Sequence, residues 1–201
     1  MKIPLFAFIV LIVSLTSAQN TTPHYVLARS AGKLPALSYG LGEDRLGGAK
    51  MGYIDTNVIF KVIDSTKEMY SVQLSKYHTA YIDKSYLKFD SLPKEKPYYI
   101  TNSFSAKGDS AFDYVGISME EKLPYKSSME INPSKIIVDI FGVQSNTNWI
   151  TQLQSLKEVK NVYYNQVEYD VLRVTIELQH RHHWGYSIGY KQKILVVRGR
   201  R

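Results

Sequence analysis

The chain alternates apolar and polar residues over short runs, a pattern typical of β-strands. The clearest run is Val171–Leu178, where Leu172, Val174, Ile176 and Leu178 share one face and Arg173, Thr175 and Glu177 share the other. This run predicts a strand with one face in the core and one face in water. Residues 136–141 are apolar on both faces apart from Asp139, which predicts a strand packed on both sides.

Similar runs of β-branched and aromatic residues, bounded by turn residues, predict further strands. They lie at residues 25–27, 58–63, 70–74 and 79–82, and then at 99–104, 112–117, 162–164, 186–190 and 194–197. The sequence Lys107-Gly108-Asp109 predicts a turn, and residues 148–157 predict the one short helix, with Asn148 as its cap.

These elements predict a mostly β fold in two parts. Near-regular strand spacing over residues 24–88 favours a small barrel, and residues 98–201 favour a β-sandwich that contains the short helix. Residues 89–97 between them carry two prolines and alternating charge, so they read as a linker.

Five glycines crowd residues 40–52 of the first part, which indicates a backbone that bends sharply or is closely approached. With Lys50 and Tyr53, the segment 47–52 forms either a peptide-binding groove or a purely structural loop, and the sequence leaves both open. It is not a phosphate-binding loop, because the required Gly-x-x-x-x-Gly-Lys-Ser/Thr spacing is missing.

Residues 1–18 predict a secretory signal peptide. Lys2 precedes an apolar run, and small residues at Thr16 and Ala18 place the cleavage point after Ala18. The alternative is an uncleaved anchor, but the apolar run is shorter than the roughly 20 residues a spanning helix needs. We therefore expect an exported protein with no membrane segment after cleavage. The absence of cysteine favours a bacterial periplasmic, cell-envelope or secreted protein over a disulfide-stabilised eukaryotic one.

The 201 residues include 25 Lys and Arg against 18 Asp and Glu, a net charge of +7. Once residues 1–18 are set aside, the remaining excess lies wholly in residues 181–201, which hold Arg181, Lys191, Lys193, Arg198, Arg200 and Arg201 and no acidic residue. A basic end of this kind fits an anionic partner. Export disfavours nucleic acid as that partner.

Two groups of motifs resemble known domains. Residues 45–55 (RLGGAKMGYID), 60–63 (FKVI), 69–74 (MYSVQL) and 81–87 (YIDKSYL) resemble a bacterial SH3-like domain, with Ala80 where that family usually has glycine. Residues 135–142 (KIIVDIFG), Val171–Leu178 (VLRVTIEL) and 194–198 (ILVVR) resemble an AMIN domain. The resemblance places the SH3-like domain at 24–88 and the AMIN-like domain at 98–201.

The order of signal peptide, SH3-like domain and AMIN-like domain resembles the N-terminal half of N-acetylmuramoyl-L-alanine amidases from Bacteroidetes-type bacteria. This resemblance implies peptidoglycan as the partner, together with a wall amidase catalytic domain acting in cis or in trans. Zinc is implied only in such a catalytic domain, whose Asp-x-Gly-His-Gly-Gly motif is absent from residues 1–201. We therefore expect no cofactor in this chain, which is either a truncated amidase reading frame or a stand-alone targeting protein.

Aromatic residues are the strongest binding candidates. Six of them cluster in the last third of the chain: Trp149, Tyr163, Tyr164, Trp184, Tyr186 and Tyr190. Exposed rings stack on sugars, and a nearby Arg or Lys pairs with peptide carboxylates, although core packing is the alternative for most of them. Arg173, on the wet face of the clearest strand, is the best polar candidate and Trp184 the next.

A metal site is the competing hypothesis. In an extended strand His180 and His182 point the same way, and together with His183 they would serve a stand-alone zinc-dependent cell-wall hydrolase. A catalytic zinc also needs a third ligand and an acid/base partner, and no His-Glu-x-x-His motif supplies them. Neither a Gly-x-Ser-x-Gly motif nor a cysteine supports nucleophilic catalysis. The sequence therefore predicts binding without a catalytic residue.

Overall fold

The computed structural model describes residues 25–42, 48–89, 96, 98–146, 155–180 and 185–200. Its strands form three sheets, so the predicted mostly β fold is confirmed. The helical element among the described residues is one 3-10 turn, Lys84–Tyr86. The predicted helix lies largely in residues 147–154, outside the described part, and residues 155–157 that follow are not helical.

A seven-stranded antiparallel sheet forms the first half of the chain. Its strands are β1 Val26–Ser30, β2 Ala36–Ser38, β3 Lys50–Tyr53, β4 Ile59–Ser65, β5 Met69–Ser75, β6 His78–Asp83 and β7 Leu87–Lys88. They lie in the order β3-β2-β6-β5-β4-β1-β7, so β3 is one edge of the sheet. The predicted close approach at the glycines is real at Gly48, where an added Cβ would lie 2.0 Å from the carbonyl oxygen of Gly40.

Two further sheets form the second half. Their strands are β8 Tyr99–Gly108, β9 Phe112–Met119, β10 Tyr125–Ile131, β11 Ser134–Phe141, β12 Val143–Gln144, β13 Val159–Glu168, β14 Val171–Leu178, β15 Tyr186–Lys191 and β16 Ile194–Arg200. One sheet has the order β10-β11-β14-β13 and the other β12-β8-β9-β16-β15. Their inner faces supply buried residues to one hydrophobic core, as in a β-sandwich.

The strand β14 has the predicted bounds, but its outer face is less exposed to solvent than predicted. Thr175 is only 4% exposed. In the register of the sheet it lies between Ile137 of β11 and Tyr163 of β13, whose larger side chains share its face. The wet-face prediction is therefore wrong at Thr175, because neighbours from other strands cover it.

The seven-stranded sheet contacts one end of the sandwich directly. The backbone N–H of Ile59 donates to the carbonyl of Lys122 at 2.9 Å, and the Lys122 ammonium donates to the carbonyl of Thr56 at 3.1 Å. Arg29 lies 3.4 Å from Glu121. These contacts position β3 beside β10, which creates a cleft between the two halves.

Tyr190 anchors the loop at this end of the sandwich. Its hydroxyl donates to the carbonyl of Leu123 and accepts from the N–H of the same residue, both at 2.9 Å. Burial raises the pKa of Tyr190, so the phenol stays protonated and able to donate.

We expect Tyr190→Phe to lower the free energy of unfolding by about 1–3 kcal/mol, because both polar groups of Leu123 lose their partner in a partly buried site. Urea unfolding followed by tryptophan fluorescence measures this change. Tyr77→Phe is the matched control, since Tyr77 is 72% exposed. Equal stability of the two variants would contradict the assigned role.

No helix in the described residues is long and apolar enough to cross a membrane. The predicted signal peptide, residues 1–18, lies outside the described part of the chain.

Candidate ligand-binding groove

The outer face of the five-stranded sheet carries an open groove. The strand register places two rows of residues across it: Lys107, Tyr114, Arg198 and Ser187 in one row, and Ser105, Gly116 and Val196 in the next. Because the second row consists mainly of small residues, it forms a trough beside the first. The groove has a volume of about 760 Å³.

Gly116 keeps the floor of this trough open. An added Cβ would lie 2.6 Å from Ser105 Oγ and 3.3 Å from Ile194 Cγ2. A glycine inside a strand weakens the strand, and it often marks a place where a ligand approaches the backbone. The position of Gly116 in the middle of β9 is therefore consistent with a binding surface.

The groove is positively charged. Lys107, Lys191 and Arg198 line it, and Asp109 is the acidic residue among its lining. Asp109 is occupied by its own turn, since it accepts hydrogen bonds from the N–H groups of Ala111 and Phe112 at 2.8 and 2.9 Å. No carboxylate in the described part of the chain forms an ion pair with the three basic residues. They are therefore available to an anionic ligand.

Arg198 and Tyr114 are held in place by their neighbours. The Arg198 guanidinium lies 4.7 Å from the ring centre of Phe112, and its Nε donates to Ser187 Oγ at 3.1 Å. The Tyr114 hydroxyl donates to Asp109 Oδ2 at 2.8 Å, and this hydrogen bond raises the pKa of Tyr114. The first row thus presents a positioned guanidinium beside a neutral phenol, which suits carboxylates and sugar rings.

Comparison with known families bears on this half of the molecule. Residues 105–198 match the family model of the AMIN domain. The matched segment covers a little less than half of the 201 residues and contains every residue that lines the groove. No curated protein is significantly similar to the chain.

Arg173, the predicted polar contact, lies on a different surface, the outer face of the four-stranded sheet. Its Nε and one terminal nitrogen donate to the two oxygens of Asp139 at 2.6 and 2.9 Å. This pairing raises the pKa of Arg173. Lys126 lies 3.5 Å from the same carboxylate. Arg173 is thus engaged within the four-stranded sheet, and it is not among the residues that line the groove.

The predicted aromatic residues are dispersed. Tyr164 stacks on Phe104 with ring centres 4.9 Å apart, which is packing between the two sheets of the sandwich. The Tyr186 hydroxyl donates to Ser127 Oγ at 2.9 Å near the cleft between the halves. Trp149 and Trp184 lie outside the described residues.

Lys50 and Tyr53 are close to one another on the edge strand β3. The Lys50 ammonium lies 3.3 Å from the Tyr53 hydroxyl and 5.3 Å from the ring centre. Tyr53 also lines the cleft between the halves, together with residues of β10 and β15. The structure thus brings Tyr53 close to the second half of the chain, while Lys50 stays at the rim.

The histidines gather no metal-ligand set in the described part of the chain, where no three His, Cys, Asp or Glu residues form a group. His180 Nδ1 lies 2.8 Å from Glu158 Oε2, and His182 and His183 lie outside the described residues. The described residues therefore assemble no ligand set for a metal ion, and only His180 of the predicted cluster lies among them.

A serine, a histidine and a glutamate also meet between the halves. His78 Nδ1 lies 2.8 Å from Ser75 Oγ and 3.5 Å from Glu168 Oε2. In a catalytic triad the acid and the serine contact opposite nitrogens of the ring, whereas here both approach Nδ1. This cluster links the two halves and has no triad geometry.

The groove residues that sequence reasoning missed are Ser105, Lys107, Tyr114 and Gly116. The concentration of basic residues in 181–201 was one indication of the groove, since Lys191 and Arg198 line it. Gly116, a glycine within the predicted strand 112–117, was a second indication, because such a glycine often marks a close approach to the backbone.

Proposed function

We propose that this chain is an exported peptidoglycan-binding protein that targets an N-acetylmuramoyl-L-alanine amidase to the cell wall. The match of residues 105–198 to the AMIN domain supports the wall-targeting role, because this domain occurs in the N-terminal regions of such amidases. In this proposal residues 1–18 direct export to the periplasm or cell surface. Residues 24–88 act as an SH3-like domain beside the AMIN-like domain at 98–201.

The observation that carries the proposal is the cationic groove inside the matched segment. Peptidoglycan is a long polymer whose stem peptides carry carboxylates, so an open groove with Lys107, Lys191 and Arg198 suits it. Tyr114 offers a ring for stacking against a sugar. Shape and charge thus both favour an extended anionic polymer.

Binding without hydrolysis fits the chemistry of the groove. A glycosidase needs two carboxyl groups on opposite sides of the scissile bond, and Asp109 is the one carboxylate in the groove lining. It already accepts bonds from two backbone N–H groups and the Tyr114 hydroxyl. In this proposal the amidase is a separate catalytic domain, acting in cis or in trans.

Sedimentation with purified sacculi tests the proposal. We expect the protein to pellet with sacculi at low salt and to be released progressively as ionic strength rises, because salt screens charges beyond roughly 10 Å at 0.1 M. A non-binding protein of equal charge is the control. Pelleting no greater than that of the control would overturn the proposal, and dye release from labelled sacculi would overturn its non-catalytic part.

A further inference from the structure

Three unpaired sheet edges meet in the cleft between the two halves. β3 is an edge of the seven-stranded sheet, β10 of the four-stranded sheet and β15 of the five-stranded sheet. Residues of all three strands line the cleft, which has a volume of about 230 Å³. That volume is below the range of about 300–1,000 Å³ for drug-sized ligands, so the cleft suits a single side chain or head group.

A carboxylate faces this cleft. Asp55 Oδ2 accepts a hydrogen bond from the Tyr125 hydroxyl at 2.9 Å, which fixes the orientation of the carboxylate. The other oxygen, Oδ1, accepts no hydrogen bond from a residue that the structure describes. It lies beside Gly189, where an added Cβ would be 3.3 Å away. Asp55 therefore has one acceptor oxygen with no donor among the described residues, held against β15 where a glycine allows its close approach.

The remaining walls are largely apolar or aromatic. Leu34, Met51, Ile54 and Ile188 supply aliphatic surface, and Tyr53, 56% exposed, supplies a ring at the rim. The Lys50 ammonium already lies 5.3 Å from the centre of this ring. This contact engages the π face of the ring, so Tyr53 adds aromatic surface to the wall and is not a second cation site.

An aliphatic wall around one carboxylate is complementary to an alkylammonium group. Methylenes pack on the apolar wall, and the ammonium donates to the carboxylate in a charge-assisted hydrogen bond. Lys126, the basic residue of the cleft lining, does not compete for Asp55, because its ammonium lies 3.5 Å from Asp139 on the sheet's outer face. The cleft is therefore distinct in charge from the cationic groove.

We propose that the cleft between the two halves binds a primary alkylammonium group, such as the end of a lysine-like side chain, through Asp55. If the proposed function holds, this group is the free side-chain amine of a peptidoglycan stem peptide. Cross-linking converts that amine into a neutral amide, which cannot form an ion pair with Asp55. The chain then prefers uncross-linked over cross-linked wall peptides.

Titration by NMR tests the site with the purified protein. The probe is Nα-acetyl-lysine amide, and its matched control is the same compound acetylated on the side-chain amine. We expect the charged probe to shift the amide resonances of Gly52 and Gly189 and the neutral compound to bind at least about tenfold more weakly. Equal binding of the two compounds, or no shift at these residues, would overturn the proposal.

Two variants test the role of Asp55 independently. Asp55→Asn removes the charge, and Gly189→Ala retains it but places a methyl group against Oδ1. Both are expected to weaken probe binding at least about tenfold, whereas Asp64→Asn, an exposed carboxylate elsewhere on the first sheet, leaves it unchanged. Full binding by a folded Gly189→Ala protein would exclude the site even where Asp55→Asn fails to fold.

The two proposals fail separately. If sacculi do not retain the protein but the charged probe binds at Asp55, the wall-binding function is wrong and the alkylammonium site stands. If sacculi retain the protein and the probe does not bind, the cleft is excluded while the groove remains.

Discussion

Replacing both Lys107 and Arg198 by glutamate is expected to weaken retention on sacculi by about two orders of magnitude. Each side chain offers a charge-assisted hydrogen bond worth roughly 1.5–3 kcal/mol, so the loss of two removes at least a hundredfold in affinity. The register places the two residues on either side of Tyr114, so one ligand segment contacts both. A sacculus-binding isotherm at fixed salt measures the change.

The control for this variant is Lys160→Glu, since Lys160 is an exposed lysine of β13 in the other sheet. It changes the net charge without altering the groove. If retention depends only on net charge, the control loses half as much binding free energy as the double variant, because it changes the charge by half as much. If the groove is the contact surface, the control leaves retention nearly unchanged, and the opposite result would contradict the assignment.

The sequence predicted the strands well because alternation is a local property. Val171–Leu178 has the same bounds in the prediction and in the structure, and most of the other predicted runs fall within observed strands. The strand Tyr125–Ile131 was missed because its sequence, YKSSMEI, has few β-branched residues. It is an edge strand whose exposed positions do not need to be apolar. Tertiary pairing with β11 makes it a strand.

The functional surfaces were less predictable because they depend on strand register. Lys107 and Arg198 belong to different ends of the matched segment, and only their common pairing with β9 makes them neighbours. Arg173 was correctly placed on the outer face of β14. Its engagement by Asp139 depends on the pairing of β14 with β11, which no local pattern specifies. The chemistry of single residues could therefore be predicted from the sequence, whereas the set of residues that meet at one site could not.

The two proposed sites differ in charge, and this difference has a functional consequence. The groove presents Lys107, Lys191 and Arg198, while the cleft presents Asp55. A stem peptide with both a carboxylate and a free amine is complementary to the pair, whereas a uniformly anionic polymer fits the groove alone. Simultaneous use of both sites raises the apparent affinity through effective concentration.

Asp113 organises the connection that leads into β13. It lies on the inner side of β9 with 0% exposure, a position at which an isolated charge is costly. Its Oδ2 accepts hydrogen bonds from three consecutive N–H groups, those of Lys157, Glu158 and Val159, at 3.0, 2.7 and 2.9 Å. One carboxylate oxygen thus satisfies the backbone donors where the chain enters the four-stranded sheet.

We expect Asp113→Ala to lower the free energy of unfolding by about 3–5 kcal/mol, because it removes a buried charge acceptor and leaves several backbone donors without a partner. The same loss corresponds to a fall in Tm of roughly 10 °C for a chain of this size. Asp113→Asn keeps a carbonyl oxygen at the same place, so it should cost less than the alanine variant. Urea and thermal unfolding measure both variants. A loss below about 1 kcal/mol for Asp113→Ala would show that water replaces the carboxylate at little cost, and would remove Asp113 as the anchor of β13.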